Sequence, residues 1–594
     1  MKGFFGGVVI WAMLAVAPAF GQWDVGRGKA KMEIFEPGVG MYGYGEFNNR
    51  VESESTPLYA RSLIIRHSQT GQMVVFVSCE LAFITQAIKD SVVSHLQKKM
   101  PSSGFADENM MLTATHTHSA PGGYFKYALY NWTVVGFHQR LLSRIVDAVV
   151  ASVLQARANL QPGILTYHEG TFDPGAKVAY NRSIKSYNKN PEVVNKVSRR
   201  QTHLGQDSVM RGLKVSDAQN NQLAFINWFG VHATAIGNKN TAISSDNKGY
   251  ASQMLEDKLG DGFVALFAQG SAGDISPNYH GLGQNKIRRQ RRTQEQDHAF
   301  AMENGRKQFE KGLAIMHTPA MDTLTGNLDS ELVYIDLAHI KVDKDFADGH
   351  THAATDAASF GMGFIKGTPI DGKGLRQPLT SVVGFVAILS KQVSLIKALF
   401  MHQARRDSVR KYYRSQGRKN VFVNAGERRI LGAKARRFIV PGFLHPIIRS
   451  IKQQARARAL ESNTWAQQIV PIQVFVIGEL AIVGLPGEIT TIAAKRLKQS
   501  IAEVLQNGGV HQVVIAPYAN AYMGYVTTRE EYKVQAYEGG HTLFGQWELD
   551  ALRMKYTELA VEILKPQSLR NLDKKTRPLF DADELHRRAY KPQH

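Results

Sequence analysis

Short apolar, β-branched runs recur along the chain, and each ends abruptly in a polar segment or a glycine-containing turn. Eight of them have the length and composition of buried strands, at 63–66, 73–77, 111–115, 223–229, 263–267, 470–477, 480–485 and 512–516. Stretches with helical spacing lie between them, at 137–158, 248–259 and 490–506. This alternation predicts an α/β fold, with helices flanking a mostly parallel or mixed sheet.

The domain organisation follows from where this pattern is regular. We predict one large domain over residues 22–565, which a chain of 594 residues can accommodate. Residues 280–464 are less regular and richer in charge and glycine, and we expect them to shape the site. The basic C-terminal tail, 566–594, either wraps the surface or stays mobile.

The N-terminus resembles an export signal. Residues 1–21 carry Lys2, then an apolar run over 4–17, then the small residues Ala19 and Gly21. We interpret them as a signal peptide, the alternative being an uncleaved anchor. The mature protein is then exported, to the periplasm or beyond. No later segment is expected to be long and apolar enough to span a membrane.

The chain is strongly basic, with a net charge of +21. Much of the excess lies in 401–460, with a second cluster at 286–292. For an exported protein, this charge favours an anionic membrane surface as partner, and a merely solvated basic face is the alternative. No nucleic acid is expected as a partner, because no recognised binding motif accompanies the charge.

Five strand ends carry the side chains that could perform chemistry. Because ligands bind beyond the carboxyl ends of strands in open α/β sheets, we expect these side chains to converge. They are His116 and His118, then His232, then Ser271, Asp274 and Ser276, then Glu488, and finally Tyr522, Tyr525, Tyr532 and Tyr537.

Two histidines and a glutamate suit a catalytic zinc, and a tyrosine phenolate can add a further ligand. The pair His116 and His118 suits one ligand and one proton-handling neighbour. The alternative from the residues alone is that these are separate structural residues, with Glu488 a carboxylate at a helix N-terminus.

Seven collinear blocks resemble the neutral (non-lysosomal, neutral/alkaline) ceramidase family. They are GMYGYGEF, ATHTHSAPGGY, NRSIKSYNKNP, NWFGVHATAIGNKNTAISSDNKGYAS, FAQGSAGDISPN, GLPGEITTIAAKRL and YVTTREEYKVQAYEGGHTLFG. The resemblance implies zinc-dependent hydrolysis of the N-acyl amide bond of ceramide to a sphingoid base and a fatty acid.

The resemblance also implies the roles of eight residues. One Zn²⁺ per chain would be bound by His116, His232, Glu488 and Tyr525. Ser276, His118, Arg182 and Tyr537 match catalytic and substrate-binding residues of the family. Attack by a zinc-activated water and attack by Ser276 both stay open at this point.

The chain departs from the family in two respects. The immunoglobulin-like domain that usually follows is expected to be absent, which leaves no basis for an additional Ca²⁺ or Mg²⁺ site that depends on it. The segment 280–464 is divergent, so the resemblance implies amide hydrolysis more directly than it implies ceramide as the substrate. Two alternatives therefore remain: a zinc amidohydrolase of another N-acyl lipid or N-acyl amino compound, and a non-catalytic, basic, lipid-binding periplasmic protein.

Overall fold

A computed structural model of the chain describes residues 22–279, 292–368, 370–372, 374, 377–437, 442 and 446–590. The predicted signal peptide, 1–21, and most of the basic cluster at 286–292 lie outside the described residues.

The strands of the described residues form two long sheets, a small four-stranded sheet of β15 to β18, and three short pairs. They are β1 (Trp23–Lys31), β2 (Ser53–Glu54), β3 (Tyr59–His67), β4 (Met73–Cys79), β5 (Met110–Ala114), β6 (Gln161–Thr171), β7 (Tyr180–Asn181), β8 (Val209–Ser216), β9 (Gln222–Phe229), β10 (Ala242–Ile243), β11 (Val264–Gln269), β12 (Ile275–Ser276), β13 (Asp322–Thr323), β14 (Leu328–Asp336), β15 (Ser359–Gly361), β16 (Val421–Asn424), β17 (Arg429–Ile430), β18 (Ala433–Lys434), β19 (Ile469–Ile477), β20 (Leu480–Gly484), β21 (Glu488–Ile489), β22 (Gln512–Ala516) and β23 (Tyr525–Val526).

The helices of the same residues cover the sheets and build the irregular middle of the chain. They are α1 (Gln86–Lys99), α2 (Gln139–Ala158), α3 (Ile184–Tyr187), α4 (Asp246–Leu259), α5 (Gln294–Met316), α6 (Met362–Ile365), α7 (Leu379–Leu399), α8 (Gln403–Gln416), α9 (Pro446–Arg456), α10 (Thr491–Leu505), α11 (Arg529–Val534), α12 (Tyr537–His541), α13 (Glu548–Ile563) and α14 (Ala582–Arg587).

The larger sheet is mixed. Its strands run in the order β11-β9-β8-β6-β1-β3-β4-β5, with β13 paired to β6. The outermost pairs, β11 with β9 and β4 with β5, are parallel, and the pairs between them are antiparallel. The α/β prediction on a mixed sheet is confirmed. Parallel pairing is limited to the two edges because a helix connects the paired strands only there.

A second sheet, ordered β14-β19-β20-β22, packs against the larger one. A shared apolar core joins them, to which Phe76 and Trp228 contribute from the larger sheet and Phe475 and Ile482 from the smaller. Helices α1 and α2 cover one outer face, and α10 and α13 cover the other. Strands buried on both faces read as unbroken apolar runs, which explains why they were visible in the sequence.

One helix corrects the sequence analysis. Helix α7 is long and apolar enough to cross a membrane by length and composition, although no such segment was expected after residue 21. It is mostly exposed in the structure. Ser390 and Lys391 interrupt its apolar run, which is why it did not stand out in the sequence.

The C-terminal tail is described as far as Tyr590 and crosses the surface of the domain. Arg570 pairs with Glu331 at 3.1 Å, and the amide of Tyr590 donates to the carbonyl of Phe137 at 2.7 Å. The tail thus ties the end of the chain to its first third.

Candidate active site

Two histidines enter the site from the ends of two strands of the larger sheet. His116 follows β5 and His232 follows β9, and both side chains are buried. Nδ1 of His116 lies 2.6 Å from the carbonyl oxygen of Ala82, and Nδ1 of His232 lies 2.6 Å from that of Ala272. Because each carbonyl accepts the Nδ1 proton, each Nε2 keeps its lone pair for the centre of the site.

Glu488 and Tyr525 enter from two short parallel strands, β21 and β23. They are direct partners in the register of this pair, so their side chains leave the same face. The hydroxyl groups of Tyr522 and, at 3.3 Å, Tyr518 donate to the Glu488 carboxylate. The carboxylate is thereby held in one orientation.

Four atoms that could bind a metal ion surround a common point, one each from His116, His232, Glu488 and Tyr525. Oε2 of Glu488 lies 3.1 Å from Nε2 of His232 and 3.3 Å from Nε2 of His116. The hydroxyl oxygen of Tyr525 lies 3.3 Å from Nε2 of His232. Tetrahedral ligands at zinc distances of about 2.0–2.1 Å are separated by about 3.3 Å, so the spacing fits a cation of that size.

His118 borders the same centre. Its Nε2 lies 3.1 Å from Nε2 of His116, and ring nitrogens of His116, His118 and His232 lie within 4.8 Å of one another, so the three histidines could hold a metal ion. A bridge between Thr117 and Ala233 brings the two histidine segments together. Nδ1 of His118 is buried and finds no hydrogen-bond partner among the described residues.

Arg182 is buried beside the centre and connects it to two carboxylates. Its Nη1 donates to Asp371 at 2.9 Å and its Nε to Glu538 at 3.1 Å. Its Nη2 donates to the carbonyl of Gly273 and to the hydroxyl of Tyr525, both at 2.9 Å. The guanidinium therefore fixes the tyrosine next to His232.

Ser276 reaches the same carboxylate from the strand pair of β12 with β7. Its Oγ donates to Oδ1 of Asp371 at 2.7 Å and accepts the amide of Asn278 at 3.0 Å. Asp371 therefore receives the serine hydroxyl on one oxygen and Arg182 on the other.

Tyr537 is half-buried at the start of α12, unlike the fully enclosed residues around it. Its ring centre lies 5.5 Å from that of Tyr525 and 5.4 Å from that of Phe364. Part of the Tyr537 side chain is therefore open to solvent beside the buried cluster.

Burial and neighbouring charges set the protonation of the site. Burial alone would raise the pKa of Glu488, but His116 and His232 outweigh it and hold that pKa well below its usual value. Burial, together with His116 and His232, lowers the pKa of His118 well below its usual value. The site thus contains an ionised carboxylate beside a neutral imidazole.

All eight residues singled out in the sequence lie in this one cluster. The four proposed ligands surround one point, His118 and Arg182 touch two of them, Ser276 is linked through Asp371, and Tyr537 contacts Tyr525. Of the other strand-end residues, Asp274 instead accepts from the amide of Thr491.

Two carboxylates of the site were missed. Asp371 lies in the glycine-rich stretch 358–374, and Glu538 follows Tyr537 directly. Neither ends a predicted strand, so nothing in the local pattern distinguished them from surface acids. Tyr518 and Tyr522, which hold Glu488, lie in the tyrosine-rich segment but were given no role.

Comparison with known families gives a match over most of the chain. The family model described as neutral/alkaline non-lysosomal ceramidase, N-terminal, matches residues 23–436 and 453–554. The neutral ceramidase of Pseudomonas aeruginosa is 33% identical over 546 residues, covering 91% of this chain and 72% of that protein. The neutral ceramidase of Mycobacterium tuberculosis is 30% identical over 549 residues, covering 90% and 76%.

Solved structures give the same result at the level of the fold. The crystal structure of neutral ceramidase from Pseudomonas aeruginosa aligns with a TM-score of 0.74 and 29% identity, covering 94% of this chain and 77% of that one. A structure described as ceramidase complexed with C2 aligns with a TM-score of 0.75 and 30% identity, covering 95% and 78%.

Proposed function

Because the chain belongs to the neutral/alkaline non-lysosomal ceramidase family, and is an amidohydrolase of the ceramide amide bond, we propose that it performs this hydrolysis with one zinc ion. The observation that carries the proposal is the convergence of His116, His232, Glu488 and Tyr525 at separations that match tetrahedral zinc ligands.

The hydrogen bonds around the histidines support this ligand set over one built from three histidines. A ligating histidine donates its second ring N–H to a carbonyl or carboxylate. His116 and His232 have such carbonyls, whereas Nδ1 of His118 has no partner among the described residues. His118 is therefore assigned to proton transfer and not to the metal.

Zinc, when bound, supplies a Lewis acid that polarises the acyl carbonyl and acidifies a water molecule. Nε2 of His118 faces the centre, 3.1 Å from Nε2 of His116, and is the ring nitrogen placed to accept the proton of the attacking water and deliver it to the departing amine. The hydroxyl of Tyr537, beside the buried cluster, donates to the oxyanion that forms on the acyl oxygen. Arg182 holds Tyr525 in place.

Water is the attacking group in this scheme, and Ser276 is a positioning residue. A serine nucleophile needs a general base that can take its proton. The Ser276 proton points at Asp371, whose carboxylate is already paired with Arg182, and such a carboxylate is a weak base. Ser276→Ala should therefore keep measurable activity, and no acyl-enzyme should be trapped by hydroxylamine.

The experiment incubates purified protein with ceramide and with other N-acyl lipids and N-acyl amino compounds, after chelation and after zinc is added back, and measures released fatty acid. Activity should require zinc and should be greatest on ceramide. Glu488→Gln and Tyr525→Phe should each lose at least about a hundredfold in kcat/KM, as for residues that bind a catalytic metal.

Two further variants separate the roles. His232→Ala should lose zinc as well as activity, whereas His118→Ala should lose activity and keep stoichiometric zinc. Tyr167→Phe, which removes a buried phenol bonded to Glu169 on β6, is the control for loss of a hydroxyl and should stay active. Full activity of Glu488→Gln would reject the assigned site.

We also propose that the enzyme is exported. This rests on the composition of residues 1–21. Sequencing of the mature N-terminus should find Gln22 first, and an unprocessed Met1 on cytoplasmic protein would contradict it.

A further inference from the structure

Helix α7 exposes a continuous apolar face. Val382, Phe385, Leu389, Val393 and Ile396 recur every three or four residues and are all exposed, Phe385 by 62%. Phe400, at the end of the helix, is 87% exposed. Ten of the nineteen exposed large apolar side chains in the described part of the chain lie between Leu379 and Phe400, so they form one patch and are not scattered.

Four polar side chains of α7 turn toward the protein: Thr380 is buried, and Ser390, Lys391 and Ser394 are half-buried, whereas Ser381, Gln392 and Lys397 are exposed. Nζ of Lys391 donates to the carbonyl of Gly417 at 2.9 Å, at the end of α8. Ser390 points at Gly432, where an added Cβ would lie 2.4 Å from its Oγ. Polar side chains such as Lys391 therefore help to hold the helix to the domain, while its large apolar side chains point outward.

Cations border this face, and Asp407 is the one acidic residue among them on α8. Helix α8 follows α7 after three residues and exposes Arg405, Arg410 and Arg414, with Arg418 just beyond it. No salt bridge within the described residues involves these four arginines. The sequence from 379 to 406 contains no Asp or Glu. An apolar surface with such a border matches the acyl chains and anionic head groups of a lipid bilayer.

The patch is also close to the catalytic site. Helix α7 packs on α6, where Cε of Met362 lies 3.8 Å from the Cβ position of Gly384. Helix α6 in turn packs on α12, and the ring of Phe364 lies 5.4 Å from that of Tyr537. A lipid that leaves the bilayer beneath α7 would therefore meet the half-buried tyrosine beside the proposed metal ligands.

We propose that α7 lies flat in the interface of an anionic bilayer, with the arginines of α8 on its head groups, and so delivers membrane ceramide to the site. The inference rests on the proposed function for the identity of the lipid. Lying flat is favoured over spanning because Lys391 is near the middle of α7 and is bonded to the domain, and a lysine is strongly disfavoured at the centre of a bilayer.

Sedimentation with ceramide-free vesicles tests the docking surface without relying on catalysis. Wild-type protein should bind vesicles of phosphatidylcholine with phosphatidylglycerol more tightly than vesicles of phosphatidylcholine alone. The triple variant Val382→Ser, Phe385→Ser, Leu389→Ser should bind the anionic vesicles at least about tenfold more weakly, because three apolar side chains no longer enter the interface.

A matched triple variant controls for loss of exposed apolar side chains in general. Val194→Ser, Met321→Ser and Leu579→Ser change three exposed residues elsewhere and should bind like the wild type. Arg405→Gln with Arg410→Gln should weaken binding to the anionic vesicles only, and Arg199→Gln with Arg200→Gln, at an exposed site elsewhere, should not.

Equal binding by the two triple variants would overturn the proposal. So would a wild-type dimer in size-exclusion chromatography that the α7 variant dissociates, because a second copy would then cover the face. Glu488→Gln should bind vesicles like the wild type. Vesicle binding can therefore be confirmed even if the proposed catalytic function is wrong.

Discussion

At the level of single residues, the site depends on backbone positions that hold the histidines. His116 adopts a φ of 67°, a left-handed conformation that is unusual for a residue other than glycine. The surrounding bonds to Leu81 and Ala82 hold it there. Strain of this kind persists where the neighbourhood over-determines it, as in a preorganised ligand site.

Gly43 is a second such position, and it yields a prediction about His118. Its φ is 102°, and an added Cβ would lie 2.3 Å from Cγ of His118. Gly43→Ala should displace the imidazole and lower kcat/KM at least about tenfold, since small misplacements of catalytic groups are costly. Gly71→Ala is the control, because Gly71 also has a positive φ, of 74°, but an added Cβ meets nothing within 4 Å.

Both glycine variants should lose about 1 kcal/mol of stability in thermal unfolding from the backbone conformation alone. Equal activity of the two would show that the contact with His118 is unimportant.

Arg182 gives a prediction about stability. Arg182→Met would leave Asp371 and Glu538 buried without their cation, and breaking a buried ion pair in this way costs about 3–5 kcal/mol. Urea unfolding measures the loss. Arg306→Met removes an exposed partner of Glu303 on α5 and should change stability little. A stability loss no larger in Arg182→Met would contradict the structural role of this guanidinium.

The four proposed ligands could be singled out from the sequence because they follow strand ends, which are visible as breaks in apolar runs, but their assignment as ligands came from the resemblance to the ceramidase family. Asp371 and Glu538 could not, since their importance comes from a contact with Arg182 made across 189 and 356 residues of chain. Side chains brought together only by tertiary folding have no local signal.

At the level of elements, the strands of the two sheets were the most predictable part. The predicted run 512–516 is β22 without any shift, and 137–158 differs from α2 only by two residues at its start. Helix α5 was not predicted, although Thr293 and Gln296 form a capping box at its start. Its apolar side chains are too few and too widely spaced to give a clear helical period.

The short helix α11 leads to a prediction about pH. Its Glu531 is buried, and Oε2 accepts from Thr490 Oγ1 at 2.6 Å. Burial raises the pKa of Glu531, and the charge of Asp274 raises it further. Between the usual carboxyl pKa and this raised value the folded state binds more protons than the unfolded state, so stability should fall as the pH rises.

Glu531→Gln should flatten this decline, because an amide cannot ionise. The free energy of unfolding, measured in urea at a series of pH values from 5 upwards, checks the prediction. A decline of the same slope in the variant would mean that another group causes it.

At the scale of the whole molecule, the tail supports the fold from outside. The ring of Phe580 packs edge-on against Tyr127 at 4.9 Å between centres, whereas the neighbouring Leu579 is 92% exposed. Phe580→Ala should therefore lower stability by about 1 kcal/mol. Leu579→Ala should leave the melting temperature unchanged in calorimetry. If both variants melt alike, the tail contributes nothing through this contact.

The sequence separation of the four proposed ligands has a consequence for biosynthesis. They run from His116 to Tyr525, so a ribosome must have passed residue 525 before the set can form. The pairing of β21 with β23 and the docking of residue 590 on residue 137 are similarly late events. The complete four-residue set can thus bind an ion only after residue 525 has been synthesised, so the compartment where folding ends, rather than the one where synthesis begins, would determine which metal that set receives.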